Sequence, residues 1–239
     1  MLAKERLSQG TWVPPWLHHQ HLARYEWALR FCEGKRVLDA ACANGYGTRV
    51  LSSVAAAAFG CDISLEPIAE SITGRMDRPP LIVGDTLRLP FFDASHDVFV
   101  SFETIEHVRD DAGFVREARR VLRPGGRLIL STPNRRLVNP GNTIADPPFN
   151  PFHVREYAPD ELEALLRSSF EHVEMMGQSG YPLAYAGILG GIGRTSRTIG
   201  FRLHQMRKLI ALPFENRARH EPRRFDRGET PEVLIAVCT

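Results

Sequence analysis

Two short stretches of the chain carry side chains able to move a proton or hold a cation. The first is Glu103-Thr104-Ile105-Glu106-His107; the second is Asn150-Pro151-Phe152-His153-Val154-Arg155-Glu156. Glu103 and His107 are four residues apart and Glu106 is three from Glu103, so one helical turn sets all three on a common face. With His153 they form two carboxylates and two imidazoles, a donor set that suits Mg²⁺, Mn²⁺ or Zn²⁺. A divalent ion there would lower the pKa of a hydroxyl bound to it. Two simpler readings compete with the metal. His107 or His153 acts as a general base without metal, with Glu103 as a further catalytic candidate; or Glu106-His107 merely caps the helix after a strand.

A third stretch, Val37–Gly47, points to a ligand. It reads as a short buried strand, an acid (Asp39) at its end, and a tight loop of small residues opening a helix. Ala41, Ala43, Gly45 and Gly47 allow a sharp turn with a ligand against the backbone, and the helix start offers free N–H groups. A second acid, Asp62, closes the next strand 23 residues after Asp39. Small-residue loop plus strand-end acids is how an α/β sheet holds a nucleoside-bearing cofactor. A dinucleotide would want G-x-G-x-x-G and a pyrophosphate at the helix dipole. The spacing here is wrong for that, and Asp39 would repel phosphates while suiting a cationic sulfonium and its ammonium group. S-adenosylmethionine fits better.

The elements that would position these groups alternate. Arg36–Ala40, Ala55–Cys61, Leu81–Gly84, Asp97–Phe102 and Gly126–Thr132 are short apolar runs bounded by turns, as buried parallel strands are. Helices are expected at 47–54, 65–72 and 110–122, the last ending at Arg123-Pro124-Gly125-Gly126, a stop and turn signal. After a proline-rich loop, residues 133–159, a helix opens at Pro159-Asp160-Glu161 and runs to Ser169. His172–Gln178 and Val233–Cys238 read as a final strand pair. The prediction is a doubly wound α/β sheet of seven strands, five or so of them parallel, with a helical insertion before the last strand.

In order across residues 24–178, the chain resembles the class I S-adenosylmethionine-dependent methyltransferases. Their loop pattern, D-x-G-x-G-x-G, is matched as Asp39-x-Ala41-x-Ala43-x-Gly45, with alanine at two glycine positions. The resemblance implies cofactor contacts from Asp39, Ala41, Ala43, Asn44 and Gly45. It puts Asp62, followed by Ile63, on the ribose hydroxyls, and Asp85 or Thr86 on the adenine amine. Phe99–Phe102, with Ser101, becomes the strand whose end passes beneath the methionine part. Arg24 falls where relatives often place a basic group near the cofactor carboxylate. The E-x-x-E-H pattern with a later histidine is similar to the metal site of small-RNA 3′-terminal 2′-O-methyltransferases, and E-x-x-E-H to that of ubiquinone-pathway O-methyltransferases. In both, a metal engages neighbouring oxygens of a diol or catechol. Asn150–Tyr157 looks like a motif of methyltransferases from polysaccharide and natural-product pathways.

The expected reaction is therefore methyl transfer to oxygen of a small molecule, sugar or glycan. Nitrogen acceptors and RNA 2′-oxygen remain alternatives. So does a non-catalytic S-adenosylmethionine-binding module, suggested by Ala41 and Ala43; a nicotinamide oxidoreductase is disfavoured by the loop spacing.

Composition agrees with an ordinary globular chain of 239 residues, 43% hydrophobic and 24% charged. A net charge of +2 gives no whole-protein field for nucleic acid. The four cysteines, Cys32, Cys42, Cys61 and Cys238, lack metal or disulfide spacing, and Met1–Gly10 lacks an apolar targeting segment, so a reduced, cytoplasmic setting is expected. One methyltransferase domain is expected over 1–239: a helical cover (1–33) bearing His18, His19 and His21, which read as part of a lid over the cofactor or else as a metal cluster, the cofactor core (34–178), a substrate-cover insertion (180–231) and the last strand (232–239). Arg194–Arg227 holds ten Lys/Arg against three Asp/Glu, with a helix expected over 201–212; a solvated face, a lid over an anionic substrate and a peripheral membrane contact all fit it.

Overall fold

The computed structural model describes residues 15–72, 79–179, 221–226 and 229–239. Residues 1–14 and most of the basic insertion, including the helix expected over 201–212 and its lid and membrane readings, lie outside them.

The apolar runs form one seven-stranded sheet of order β3-β2-β1-β4-β5-β7-β6. Strands β1 (Arg36–Ala40), β2 (Ala57–Asp62), β3 (Leu81–Val83), β4 (His96–Phe102) and β5 (Leu122–Pro133) are parallel. Strand β7 (Val233–Cys238) lies antiparallel between β5 and β6 (Val173–Gln178). Successive strand residues point to opposite faces, and both faces are covered. Leu38, Phe99, Leu128, Leu130, Leu234 and Ala236 pack with Phe114, Val115 and Leu162, from helices α4 (Asp111–Val121) and α6 (Pro159–Leu166). Val37, Val98, Val100, Ile129 and Ile235 pack with Tyr25, Trp27, Ala28 and Leu51, from α1 (Pro15–Cys32) and α2 (Tyr46–Ser52). Each such Val, Leu, Ile or Phe side chain, fully removed from water, contributes about 1.5–3 kcal/mol before entropic costs. Among the described residues, the remaining α-helices are α3 (Leu65–Ile72) and the single turn α5 (Arg135–Val138).

The fold matches the expected doubly wound class; α2 and α6 end two and three residues earlier than expected, at Ser52 and Leu166, and further local differences bear on the strands and the site. β5 starts at Leu122, not Gly126. Leu122 already pairs with His96, and the register shifts before Val98 meets Arg127, so Arg123-Pro124-Gly125-Gly126 is a kink in the strand, with Gly125 left-handed at φ 74°. β2 starts at Ala57 rather than Ala55. After β4 the chain makes only a 3-10 turn, Ile105–His107, where a full helical turn from Glu103 was expected.

The chain builds outward from β1 to β3 on one side, then restarts at β4 beside β1. Strand order reverses there, which opens a crevice at the carboxyl ends of β1 and β4. Asp39 pairs with Val100 across it, and the Ser101 hydroxyl donates to the Ala40 carbonyl at 3.0 Å. Ser101 thus ties the two strand ends together. Among the described residues, no helix is long and apolar enough to cross a membrane.

Candidate active site

The loop leaving β1 is left-handed at every second residue: Ala41 at φ 61°, Ala43 at φ 49° and Gly45 at φ 72°. Left-handed geometry costs an L-residue roughly 1–2 kcal/mol, so the two alanines carry strain that glycine would not. Asp39, at the loop's root, is buried. Its Oδ1 accepts from the Tyr25 hydroxyl at 3.1 Å and its Oδ2 from the Thr48 hydroxyl at 2.6 Å. Burial raises its pKa to about 7, against the lowering effect of those two donors. Asp39, whose charge suits a cationic sulfonium and its ammonium group, has its carboxylate held between two hydroxyls from the chain itself.

Asp62 is also buried, at the carboxyl end of β2. Its Oδ2 accepts the Ala43 N–H at 2.9 Å and its Oδ1 the Ser64 N–H at 2.8 Å. Each carboxylate oxygen has a further lone pair, so the acid can brace the strained loop and still accept from a pair of ligand hydroxyls. Ile63, next along, is 63% exposed, and Leu87 and Val83 are exposed as well. Asp85 turns the chain between them by accepting the Leu87 N–H at 2.9 Å, with Thr86 half-buried beside it. Uncovered apolar surface next to acids is what a planar base with an exocyclic amine would need. Asn44 accepts the Tyr46 N–H at 3.3 Å.

Beyond β4, Glu103 is left-handed too, at φ 54°. Its N–H donates to the Ser131 carbonyl at 3.0 Å and its Oε1 accepts the Ser131 hydroxyl at 2.7 Å. Its carboxylate lies 3.6 Å from the Arg24 guanidinium. Arg24 is 1% exposed. One of its terminal nitrogens donates to Gln178 Oε1 at 2.9 Å, and its Nε has no hydrogen-bond partner among the described residues. That buried, unfilled donor fits a carboxylate-bearing ligand. Gln178 donates to the Gln20 carbonyl at 2.9 Å, and Gln20 to Glu232 at 3.1 Å. This chain ties α1 to β6 and to the residue preceding β7.

Glu106, His107 and His153 bring one ligand atom each within 4.8 Å of one another. Glu103 is not in that group: it pairs with Arg24 and Ser131, because the left-handed step at Glu103 and the 3-10 turn break the expected shared helical face. Glu106 is buried; its Oε2 accepts the Thr132 hydroxyl at 2.9 Å, while Oε1 has no partner among the described residues. Burial above all, then the neighbouring Glu103, raises its pKa to about 8. The Glu106 carbonyl accepts the N–H groups of Val154, at 2.7 Å, and Arg155, which docks the proline-rich loop onto the turn after β4.

His153 is held at both ring nitrogens, with Nδ1 3.1 Å from Glu156 Oε1 and Nε2 2.9 Å from the Asn150 amide nitrogen. Glu156, buried, also accepts the N–H groups of Phe149 and Asn150, and these bonds and His153 hold it below the usual carboxylate range although burial opposes them. His107 is more open. Its Nδ1 lies 3.1 Å from the Phe152 carbonyl oxygen, and the two imidazoles meet edge to face with centroids 4.9 Å apart. Among the described residues, the N-terminal histidines do not form such a cluster. His21 packs on Tyr25, Tyr46 and Phe102, with its Nδ1 hydrogen-bonded to the Tyr46 hydroxyl.

Sequence reading gave no role to Tyr25, Gln20 or Gln178, which lie on helix and strand faces where no local pattern points to a site. Tyr46 and Glu156 fell inside the stretches singled out above, but without a role of their own.

Strand order, the left-handed loop after β1 and Asp62 at the end of β2 together define a class I S-adenosylmethionine-dependent methyltransferase domain. The family described as a methyltransferase domain matches residues 38–130. A probable S-adenosylmethionine-dependent methyltransferase of Mycolicibacterium smegmatis is 39% identical over 173 residues, covering 72% of this chain and 66% of that protein. A demethylmenaquinone methyltransferase of Corynebacterium kroppenstedtii is 39% identical over 103 residues, 42% of this chain and 44% of that one. The match spans a little under two thirds of the first two curated relatives' own length, 66% and 63%. In fold, the chain is similar to an S-adenosylmethionine-dependent methyltransferase of Thermotoga maritima, described as a possible histamine N-methyltransferase, with a TM-score of 0.62 and 16% identity over 94% of this chain and 93% of that one. The chain thus belongs to the S-adenosylmethionine-dependent methyltransferases.

Proposed function

We propose that the chain transfers the methyl group of S-adenosylmethionine to a hydroxyl oxygen of a small molecule, sugar or glycan, in a biosynthetic pathway of the cytoplasm. The observation that carries the oxygen reading is the placement of His107. A carbonyl oxygen only accepts, so the Phe152 carbonyl holds the proton of neutral His107 on Nδ1 and leaves the Nε2 lone pair for a substrate proton. Methyl transfer is an in-line displacement, in which positioning contributes most; a hydroxyl acceptor must also lose its proton, and His107 takes it. His153, fixed by Glu156 and Asn150, shapes the loop that carries the Phe152 carbonyl. Glu103, set between Arg24 and the Glu106 turn, is the carboxylate best placed to accept from the acceptor or from the cofactor's amino end. For the cofactor, Asp62 would take the ribose, Asp85 or Thr86 the adenine amine, and Arg24 the carboxylate.

A second reading is favoured by Glu106 Oε1, a buried carboxylate oxygen without a partner among the described residues. It suits a divalent cation held by Glu106, His107 and His153, with Glu103 nearby. Such an ion would lower the pKa of the acceptor hydroxyl. Holding it would require one His153 ring nitrogen to give up its present partner, Glu156 or Asn150. An acceptor with a ring, in keeping with the demethylmenaquinone methyltransferases, is compatible with the exposed Phe152 and Val154 on either side of His153. The test of the function is methyl incorporation from labelled S-adenosylmethionine into hydroxylated acceptors by wild type and His107→Gln. Equal turnover by the two would overturn the assignment of His107.

A further inference from the structure

The loop that receives the cofactor is strained at Ala41 and Ala43 and is not held by its own residues alone. Its root, Asp39, is gripped from both sides: by Thr48 of α2, which follows the loop, and by Tyr25 of α1, which precedes the sheet. The Tyr25 ring is 3% exposed and sits edge to face with Phe102, centroids 4.9 Å apart, and with Tyr46, 5.6 Å apart. It also occupies the space a Cβ at Gly47 would need, so the glycine two residues past Gly45 is a seat for this ring. The second grip is as closely fitted: a Cβ at Gly60 would lie 2.8 Å from the Thr48 hydroxyl.

We propose that Tyr25 is a positioning residue for the cofactor: its hydroxyl on Asp39 and its ring over Gly47 clamp the left-handed Ala41–Gly45 loop in its binding shape, coupling the seating of α1 to cofactor binding. A phenylalanine would fill the same space, so the hydroxyl is the specific part. Its bond goes to a buried carboxylate at the point where the strained segment begins. With both alanines in left-handed geometry, the free loop favours other shapes, and the clamp selects against them. Glycines at 41 and 43 would need the clamp less. The proposal rests on the family's cofactor and on no feature of the acceptor site.

The test is calorimetric titration of S-adenosylmethionine into four proteins: wild type, Tyr25→Phe, Ala41→Gly/Ala43→Gly, and the combined variant. One hydrogen bond to a carboxylate is worth roughly a tenfold change in an equilibrium, shared here between folding and binding. Tyr25→Phe should therefore raise the dissociation constant about five- to tenfold, with KM for the cofactor rising in step and kcat at saturating cofactor little changed. In the glycine background the same substitution should cost less than about twofold. An unchanged dissociation constant for Tyr25→Phe, or an equal loss in both backgrounds, overturns the proposal. The wild-type isotherm tests the cofactor by itself, so the two failures are distinguishable.

Discussion

His107 and Phe152 lie 45 residues apart in sequence, yet the imidazole Nδ1 of one meets the backbone carbonyl of the other at 3.1 Å. The bond aims Nε2 outward and ties the turn after β4 to the proline-rich loop. Replacing His107 by Gln should lower kcat by about 10²- to 10⁴-fold, the usual share of a general base. Affinity for S-adenosylmethionine should stay the same, as titration calorimetry would show.

The pH profile follows from the same residue. Burial first, then the neighbouring His153, lowers the His107 pKa below its ordinary 6.5, although the Phe152 carbonyl and Glu103 pull the other way. A base is active when unprotonated, so kcat should be level through neutral pH and fall only as pH drops below about 6.5. A fall that begins above pH 7.5 would exclude His107 as the base.

Glu106 makes stability depend on pH. Its carboxyl pKa is near 8 in the folded chain against an ordinary 4.5, so the folded state holds the proton more tightly. Stability from this group is full below about pH 4.5, is lost as pH rises toward 8, and levels off above. Asp39, raised from 3.8 to about 7, adds a loss of the same sign. Urea unfolding at pH 5 and pH 8.5 should show a smaller drop for Glu106→Gln than for wild type. An identical drop would place the Glu106 proton elsewhere.

The metal reading has its own outcome. If Glu106, His107 and His153 hold a divalent ion needed for turnover, EDTA should abolish activity and Mg²⁺, Mn²⁺ or Zn²⁺ should restore it. Because the ion displaces the Glu106 proton, its affinity should rise between pH 6 and 8. Full turnover by metal-free protein would leave His107 acting alone.

The strained loop predicts a gain. Ala41→Gly removes a left-handed alanine, and the relief exceeds the extra flexibility of the unfolded chain, for a net of about 0.5–1 kcal/mol. Thermal unfolding should shift upward by a few degrees; a downward shift would mean that the Ala41 methyl makes packing contacts worth more than the strain.

Much of this was legible in the sequence, for local reasons. The run Val233–Cys238 is apolar throughout and forms a strand buried at every position; Pro159 and Glu161 mark the start of α6, where Glu161 accepts the Ala158 N–H at 2.7 Å. The small-residue loop and Asp62 were visible because turn chemistry depends on neighbours. What escaped depends on residues far apart. Arg24 meets Gln178 across 154 positions, and no periodicity in either segment signals that pairing. Tyr25 is a buried aromatic, and only the fold puts its hydroxyl on Asp39. Glu103 seemed to share a face with Glu106 and His107 because their spacing is helical, but the left-handed step at Glu103 turns its carboxylate toward Arg24.

The central claim is that the carboxyl end of this sheet binds S-adenosylmethionine through Asp62 and the left-handed loop. It is tested most directly by titrating S-adenosylmethionine into wild type and Asp62→Ala in a calorimeter. Saturable one-to-one binding by the wild type, weakened at least tenfold in a folded Asp62→Ala protein, is the predicted result. No binding by the wild type, or binding indifferent to Asp62, would contradict it.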